Sequence, residues 1–255
     1  MNRIKTIAVV LLILIQISCS KDNASNNEPI PEVLVINSTK TALLDFKYKI
    51  FYQEATTTTN RKGLVILAHG DGGTENDALL NDQCADLARL GYVAITTSYK
   101  LPGTGYVANV NAFKNCMEEV IKKNNTDFAI PANNTIVGGL SLGGNLAYFM
   151  FLPAANDASP STINLKGAAL MCAGADSYRG SAILKPAIMM SNKIDSQVGI
   201  TNAYDFKTAL LTNPNPNVST LSDCLIFDNN NVNAHCTNAS EYKAFLIKKV
   251  KEWLP

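Results

Sequence analysis

A serine between glycines lies near the middle of the chain, where an enzyme nucleophile could be placed. Residues 139–143 read Gly-Leu-Ser-Leu-Gly, which fits the pattern G-x-S-x-G with its serine at Ser141. A short strand-like segment, 135–137, precedes the pattern, and an apolar helical segment, 142–152, follows it. A sharp strand-to-helix turn exposes the serine hydroxyl, and the helix N-terminus favours developing negative charge. The pattern therefore predicts that Ser141 is a nucleophile.

A serine nucleophile requires a base that titrates near neutrality, which is normally an imidazole. The chain has two histidines. His69 follows a strand-like apolar run and begins a His-Gly turn, which in this position shapes the loop that binds an oxyanion. His235 lies between the last predicted strand and the last predicted helix, where the chain order Ser, Asp, His expects the base. By elimination, His235 is predicted to be the base.

The third member of such a site is a carboxylate that orients the imidazole and stabilises its cation. Asp195 follows the second predicted strand after the nucleophile, and we favour it for this role. Asp176 follows the preceding strand and remains the alternative. Whichever aspartate is not used is expected to cap a turn.

Alternating apolar segments are predicted to hold these residues in place. Strands are predicted at 33–36, 44–52, 63–68, 92–96, 135–137, 166–172, 186–190 and 221–227, and helices at 76–90, 107–123, 142–152, 201–211 and 240–253. Such alternation predicts an α/β fold, with a mostly parallel, doubly wound sheet and helices on both faces. We expect one domain at 33–255. Only residues 153–165 separate the helix after Ser141 from the next strand, so we expect no large lid.

The composition excludes other classes of protein. The chain has 255 residues, of which 47% are hydrophobic and 17% charged, and its formal net charge is +1. A disordered chain would be poor in apolar residues and strongly charged. A nucleic-acid-binding protein usually carries a basic excess, so no nucleic-acid partner is expected.

The N-terminal segment is predicted to be an export signal. Residues 1–5 include two basic side chains, and residues 7–15 are uniformly apolar, a run shorter than the roughly 20 residues needed to span a bilayer. A basic start and a short apolar core are typical of a secretory signal peptide, here 1–18. Without residues 1–18, 20 basic and 21 acidic residues remain, which gives a formal charge of −1.

The residues around Cys19 resemble the lipobox of bacterial lipoproteins, and those after it resemble the export tag of Bacteroidetes surface lipoproteins. The resemblance implies that Cys19 is lipidated and anchors the protein to the outer membrane, on its outer face in the surface-lipoprotein reading. Residues 19–32 are rich in Asn, Ser and Pro and are predicted to form a flexible tether. Cleavage by ordinary signal peptidase and free secretion is the alternative.

The predicted triad, its chain order and the His-Gly turn resemble the α/β-hydrolase superfamily over nearly all of residues 60–253. Within it, the chain is similar to small dienelactone-hydrolase-like or esterase/lipase-like members. True dienelactone hydrolases have a cysteine where this chain has Ser141. The segment 99–101, Tyr-Lys-Leu, is similar to the Tyr-Arg-Leu turn of carbohydrate-ester esterases, although Asp71 interrupts the HGGG turn of that group.

The resemblance implies ester hydrolysis through an acyl-enzyme. Backbone N–H groups of Leu142 and Asp71 would bind the oxyanion, within a loop that includes His69, Gly70 and Gly72. With one of two histidines assigned to that loop, a catalytic zinc site is not expected, and neither is another cofactor. The expected substrates are acyl esters of glycans or small soluble esters, and the protein is expected to be a monomer. A serine peptidase of the same fold and a non-catalytic surface-binding lipoprotein remain alternatives.

Six cysteines are present, and five remain if Cys19 is lipidated, so at least one has no partner within the chain. An exported protein can keep disulfides. The best candidate pair is Cys224 with Cys236, which would close a short loop and hold the turn that carries His235. Cys172 ends a predicted strand and is expected to be a buried, apolar residue.

Overall fold

The computed structural model describes residues 32–40, 46–54, 61–99, 101, 103, 105–154, 160–174, 176–195, 197, 203–228, 235–237 and 239–255. The predicted signal peptide, residues 19–31 of the predicted tether, and Lys100 lie outside these described residues. Glu32–Pro255 forms one unit by its internal contacts.

Eight strands form a single sheet within the described residues. They are β1 (Val33–Lys40), β2 (Phe46–Gln53), β3 (Leu64–Ala68), β4 (Val93–Thr97), β5 (Thr135–Leu140), β6 (Gly167–Met171), β7 (Ala187–Asn192) and β8 (Asp223–Phe227). Their spatial order is β1-β2-β4-β3-β5-β6-β7-β8. β2 pairs antiparallel with both β1 and β4, and all other pairs are parallel. The predicted mostly parallel sheet is therefore confirmed.

Helices cover both faces of the sheet, which confirms the doubly wound arrangement. The described helices are α1 (Ala78–Arg89), α2 (Tyr106–Asp127), α3 (Leu142–Phe149), α4 (Ser177–Ala182), α5 (Ala203–Leu211), α6 (Pro216–Leu221) and α7 (Ala239–Trp253), with a short 3-10 turn at Ala132–Asn134. Buried side chains of α1 and α7 form one apolar cluster with the sheet. Those of α2, α3, α5 and α6 form the second cluster, on the opposite face.

The central strands consist of apolar residues because both of their faces are covered. All five residues of β3 are buried. In register, Ala68 at the end of β3 aligns with Thr97 of β4 and Gly139 of β5. The ends of these parallel strands therefore lie level, along a border that we call the carboxyl edge. Residues that follow the strands meet at this edge, where ligands bind in open α/β sheets.

Several predicted boundaries differ from the observed ones; for example, the helix predicted at 142–152 ends at Phe149. The short helices α4 and α6 were not predicted, because six residues carry too little apolar periodicity to be recognised. Side chains of Asp176 and Asn215 cap them by accepting backbone N–H groups. The strand before the nucleophile also extends to Leu140, through two glycines that have low strand propensity.

Candidate active site

Ser141 occupies the sharp turn between β5 and α3, as its sequence pattern predicts. Its φ of 51° and ψ of −118° place a residue with a side chain in a region that glycine favours. Such a conformation costs about 1–3 kcal/mol and is maintained only when surrounding structure enforces it. Here the Ser141 N–H donates to the Met171 carbonyl at 2.8 Å, and its carbonyl accepts the Asn145 N–H at 2.9 Å. The turn is thereby fixed to both β6 and α3.

The glycines of the motif allow this turn to approach neighbouring backbone. A Cβ atom at Gly143 would lie 2.3 Å from the His69 carbonyl oxygen, and one at Gly139 would lie 2.5 Å from that of Ala68. Both distances are far below van der Waals contact. The motif therefore needs glycine at these positions for steric reasons, since any side chain would push β3 away from the turn.

The His235 ring lies between Ser141 and Asp195. Its Nε2 is 2.8 Å from Ser141 Oγ, and its Nδ1 is 2.6 Å from Asp195 Oδ2. Because an ionised carboxylate only accepts hydrogen bonds, Nδ1 carries the proton and donates it. Nε2 is then an acceptor, and the Ser141 hydroxyl donates to it. The arrangement allows the imidazole to remove the hydroxyl proton while its cation is stabilised by the carboxylate.

The side chains of Asp195 and His235 differ in their exposure to solvent. The Asp195 side chain has no solvent exposure, whereas 15% of the His235 side chain is exposed. The second oxygen of Asp195, Oδ1, accepts the backbone N–H of Gln197 at 3.1 Å. The carboxylate is therefore held by hydrogen bonds on both oxygens, and the imidazole is positioned where a substrate can reach it.

Asp176 has a different role from Asp195. Its Oδ1 accepts the Arg179 backbone N–H at 2.7 Å, which caps α4, and its Oδ2 lies 3.6 Å from Arg179 Nε. This is the capping role expected of the unused aspartate. The structure thus brings Asp195, and not Asp176, to His235.

The turn that contains His69 lies against the serine. A Cβ atom at Gly70 would be 3.3 Å from Ser141 Cβ, so this backbone directly borders the hydroxyl. The turn is closed by a hydrogen bond from Gly73 N–H to the Gly70 carbonyl at 3.1 Å, and Gly72 has a φ of +67°. Asp71 is exposed in this turn.

His69 stabilises this turn. Its ring is stacked on that of Tyr99, with centroids 4.3 Å apart, and Nε2 accepts the Tyr99 backbone N–H at 3.3 Å. Nδ1–H therefore donates to the Gly70 carbonyl, while the Tyr99 hydroxyl donates to the His69 carbonyl at 3.0 Å. Burial, and secondarily the charge of Asp71, raises the pKa of Tyr99. Tyr99 thus remains a neutral donor.

Leu142 is the first residue of α3 and follows the serine directly. Backbone N–H groups in the first turn of a helix have no intrahelical acceptor, so they are free to bind an anion. The oxyanion-binding roles of the Leu142 and Asp71 N–H groups remain a prediction.

The predicted Cys224–Cys236 disulfide is wrong. Cys236 is bonded to Cys172, and Cys224 is a buried thiol without a disulfide. The Cys224 side chain belongs to the apolar cluster that α2, α3, α5 and α6 form with the sheet. Cys236 packs against the cluster on the opposite face, which α1 and α7 form. The sheet therefore separates the two side chains. Burial raises the pKa of the Cys224 thiol to about 12.

Sequence reasoning also missed the partner of Cys236, although a signal for it was present. Cys172 follows β6, the parallel neighbour of the nucleophile strand β5. If His235 reaches Ser141, then Cys236, the next residue, must lie near the ends of β5 and β6. The expectation that Cys172 is buried holds, but Cys172 is also half of a disulfide.

Exposed aromatic and apolar side chains that follow β6 and β7 were not predicted either. Tyr178 at the start of α4 is 65% exposed, and Tyr204 at the start of α5 is 40% exposed. Ile194, next to Asp195, is 37% exposed. These positions follow β6 and β7 at the carboxyl edge. An isolated surface aromatic has no local sequence signature, so only the fold places it after a strand end at the carboxyl edge.

The described part of the chain contains neither a candidate metal site nor a candidate membrane span. Within it, no group of three or more His, Cys, Asp or Glu side chains is arranged to hold a metal ion. No helix in the described ranges has the length and apolar character required to cross a bilayer.

A serine at a strand-to-helix turn, faced by an imidazole and a carboxylate at the carboxyl edge of a mostly parallel sheet, is the arrangement that defines α/β hydrolases. A family profile described as "alpha/beta hydrolase fold" matches residues 65–221. The chain therefore belongs to the α/β-hydrolase fold family. The matched range includes Ser141 and Asp195 and ends before His235.

Solved structures with the same fold include enzymes. Esterase B from Lactobacillus rhamnosis, with a tributyrin phosphonate, is 16% identical with a TM-score of 0.61, over 99% of this chain and 96% of that chain. Esterase Est2 from Thermogutta terrifontis is 16% identical with a TM-score of 0.59, over 89% of this chain and 95% of that chain. A sugar hydrolase from Lactococcus lactis is 14% identical with a TM-score of 0.57, over 85% of this chain and 98% of that chain. A sequence search of curated proteins gave no match.

Proposed function

We propose that the chain is a serine hydrolase that cleaves carboxylic esters, with Ser141 as nucleophile, His235 as general base and acid, and Asp195 as the group that orients the imidazole. The observation that carries this proposal is the continuous hydrogen-bonded line from Asp195 through His235 to Ser141, with distances of 2.6 and 2.8 Å. The position of Ser141 at a strained turn between strand and helix supports its role as nucleophile.

In the first half of the reaction, Ser141 Oγ attacks the ester carbonyl carbon and its proton passes to His235 Nε2. Negative charge develops on the carbonyl oxygen, and the Leu142 and Asp71 N–H groups are the proposed donors to it. Each such donor is worth about 3 kcal/mol of transition-state stabilisation. The tetrahedral intermediate then expels the alcohol, which takes the proton from Nε2. An ester between the acyl group and Ser141 remains.

In the second half, a water molecule gives a proton to His235 Nε2 and attacks the acyl carbon. The new tetrahedral intermediate breaks its bond to Ser141 Oγ, and Nε2 returns the proton to that oxygen. The carboxylic acid leaves, and the free serine is restored. Asp195 stays ionised throughout and stabilises the imidazolium in both halves.

The surroundings of the site favour acyl esters on accessible alcohols. Only residues 150–166 connect α3 to β6, too few for the large lid of lipases that act on long-chain lipids. Tyr178 and Tyr204 offer exposed aromatic surface beside the carboxyl edge, which suits contact with a sugar ring or a small apolar alcohol. Acyl groups on glycans and small soluble esters are therefore the proposed substrates.

The reaction class is tested by comparing two kinds of substrate with the purified protein. We expect release of p-nitrophenol from p-nitrophenyl acetate and butyrate, and no release of p-nitroaniline from prolyl peptide anilides. The Ser141→Ala protein provides the blank for non-enzymatic hydrolysis. Cleavage of the prolyl anilides alone would indicate a peptidase. Absence of both activities would favour a binding protein.

We further propose that residues 1–18 direct export and that the mature chain begins at a lipidated Cys19, followed by a tether over 19–32. The support is the basic and apolar pattern of the first residues and the likeness to a lipobox. In this proposal the enzyme is held at the bacterial outer membrane and acts on esters at or near the surface, as a monomer.

Expression of the full chain in a bacterial host tests the anchor. We expect the N-terminal peptide of the membrane-bound protein to begin at Cys19 and to carry a diacylglycerol mass. Cys19→Ser is expected to release the protein from the membrane fraction, because one thioether-linked lipid is lost. An unmodified N-terminus at Ser20 or later in the wild-type protein would contradict lipidation.

A further inference from the structure

The Cys172–Cys236 disulfide adjoins the proposed catalytic residues, yet the proposed mechanism does not use it. We propose that this disulfide is a positioning element, which holds His235 at hydrogen-bonding distance from Ser141. Its reduction would lower turnover while the domain stays folded. This inference rests on the proposed hydrolase function and deepens it.

A short path connects base and nucleophile through the disulfide. Cys236 directly follows His235, and it is bonded to Cys172, 64 residues away in sequence. Cys172 directly follows Met171, whose carbonyl accepts the Ser141 N–H at 2.8 Å. The link therefore joins the residue next to the base with the strand that fixes the turn of the nucleophile.

The strand end that carries Cys172 is itself firmly held. The Cys172 N–H donates to the Met190 carbonyl of β7 at 2.7 Å, and its side chain is fully buried. β7 leads directly to Asp195. One end of the disulfide is therefore anchored between the strands that position the nucleophile and the acid.

The segment that carries His235 needs such an anchor. It lies in residues 228–238, the connection between β8 and α7. A connection of eleven residues has many accessible conformations unless it is tied to the rest of the fold. Among its described residues, His235 reaches the sheet edge through its ring, and Cys236 reaches it through a covalent bond. The covalent bond removes most of the freedom that would let the ring move away.

Tyr242 of α7 packs against the disulfide. Its hydroxyl lies 3.5 Å from Cys172 Sγ, and the residue is fully buried. Burial, followed by the charges of Asp195 and Glu241, raises the pKa of Tyr242, so its hydroxyl stays protonated beside the disulfide. Cys172, Cys236 and Tyr242 therefore belong to one apolar cluster, and Cys236 ties the neighbouring His235 to it.

Loss of the restraint is expected to lower kcat and to leave KM nearly unchanged. Misplacement of a catalytic group by about 1 Å can cost roughly 100-fold in rate. We therefore expect kcat to fall by about 10-fold or more on reduction, since only part of the population keeps the Nε2–Oγ contact. Binding of the substrate ground state does not require that contact, so KM should change by less than about twofold.

The test uses the native protein before and after treatment with dithiothreitol. Its two thiols supply two electrons and two protons to the Cys172–Cys236 bond, which becomes two thiols, while the reagent becomes a cyclic disulfide. Thiol counting confirms reduction, and circular dichroism confirms that the fold is retained. Values of kcat and KM for p-nitrophenyl butyrate are then measured, and again after reoxidation, which should restore kcat.

Two variants separate positioning from general damage. The double variant C172A/C236A should show the low kcat without reductant and no response to it. Cys224→Ala, which removes a buried thiol on the opposite face of the sheet, should keep both the wild-type kcat and the response. In the wild-type protein, deuterium uptake by the peptide that contains His235 should rise on reduction, which reports the restraint without any activity.

The outcomes are distinct. A folded, reduced protein that keeps its kcat and its deuterium uptake would overturn the positioning role. Unfolding of the reduced protein at the assay temperature would also overturn it, because the proposal requires a folded enzyme with a displaced base. If the proposed hydrolase function itself were wrong, the result would differ from these outcomes. Even the untreated protein, with its disulfide intact, would then show no hydrolysis that depends on Ser141.

Discussion

Ser141→Ala is expected to lower kcat for p-nitrophenyl butyrate by about 10⁶-fold, down to the level that binding and oxyanion contacts alone support. The substitution removes Oγ, which lies 2.8 Å from His235 Nε2. Without it no acyl-enzyme forms, and water would have to attack the ester directly. KM should change little, because the hydroxyl contributes mainly to the reaction and not to ground-state binding.

Ser181→Ala is the matched control for this substitution. Ser181 is exposed on α4, and its hydroxyl donates to the Tyr178 carbonyl of the same helix. Its loss should leave kcat within about twofold of wild type, in line with the small effect of most surface substitutions. If Ser141→Ala kept activity comparable to that of Ser181→Ala, the assignment of the nucleophile would be wrong.

Asp195→Asn is expected to lower kcat by about 10⁴-fold with little change in fold. The carboxylate accepts the Nδ1 proton of His235 at 2.6 Å and is fully buried. A carboxamide can present its NH₂ group to Nδ1, which would move the imidazole proton to Nε2. In that tautomer Nε2 cannot accept the proton of Ser141. The measurement is kcat/KM for p-nitrophenyl acetate across neutral pH, together with a thermal melt.

Asp176→Asn tests the same chemical change at the other candidate acid. Asparagine caps helices about as well as aspartate does, so the bond from Arg179 N–H should persist. We expect kcat within about threefold of wild type, because this side chain does not contact His235. Equal losses in the two variants, or a larger loss at Asp176, would contradict the role of Asp195.

The order of the main strands and helices was predictable, because buried parallel strands are continuous apolar runs and amphipathic helices have regularly spaced apolar residues. The apolar run of β3 and the helical spacing of α1 and α7 identify these elements directly. The short helix α4 was not predictable, because it depends on contacts distant in sequence. At Gly180, for example, a Cβ atom would come within 2.6 Å of the Phe206 carbonyl oxygen of α5. No window around residue 180 contains that information.

Ser141 and His235 were predictable as members of the candidate site because both leave signals in the sequence itself. Ser141 has a local motif, and the order of residues along the chain, with only two histidines, singles out His235. The choice between two aspartates needed coordinates, since each follows a strand at the same edge of the sheet. The cysteine pairing failed for lack of the same information, because sequence separation does not reveal which face of the sheet Cys224 occupies.

The most direct test of the central claim, that Ser141 is a nucleophile activated by His235 and Asp195, is reaction with a fluorophosphonate followed by peptide mass spectrometry. Ser141 Oγ would displace fluoride from phosphorus, and the hydroxyl proton would pass to His235. We predict one adduct per chain, located on Ser141, with esterase activity lost in proportion and no adduct in Ser141→Ala. An intact protein that stays unlabelled, or that is labelled at another residue while hydrolysis continues, would contradict the account.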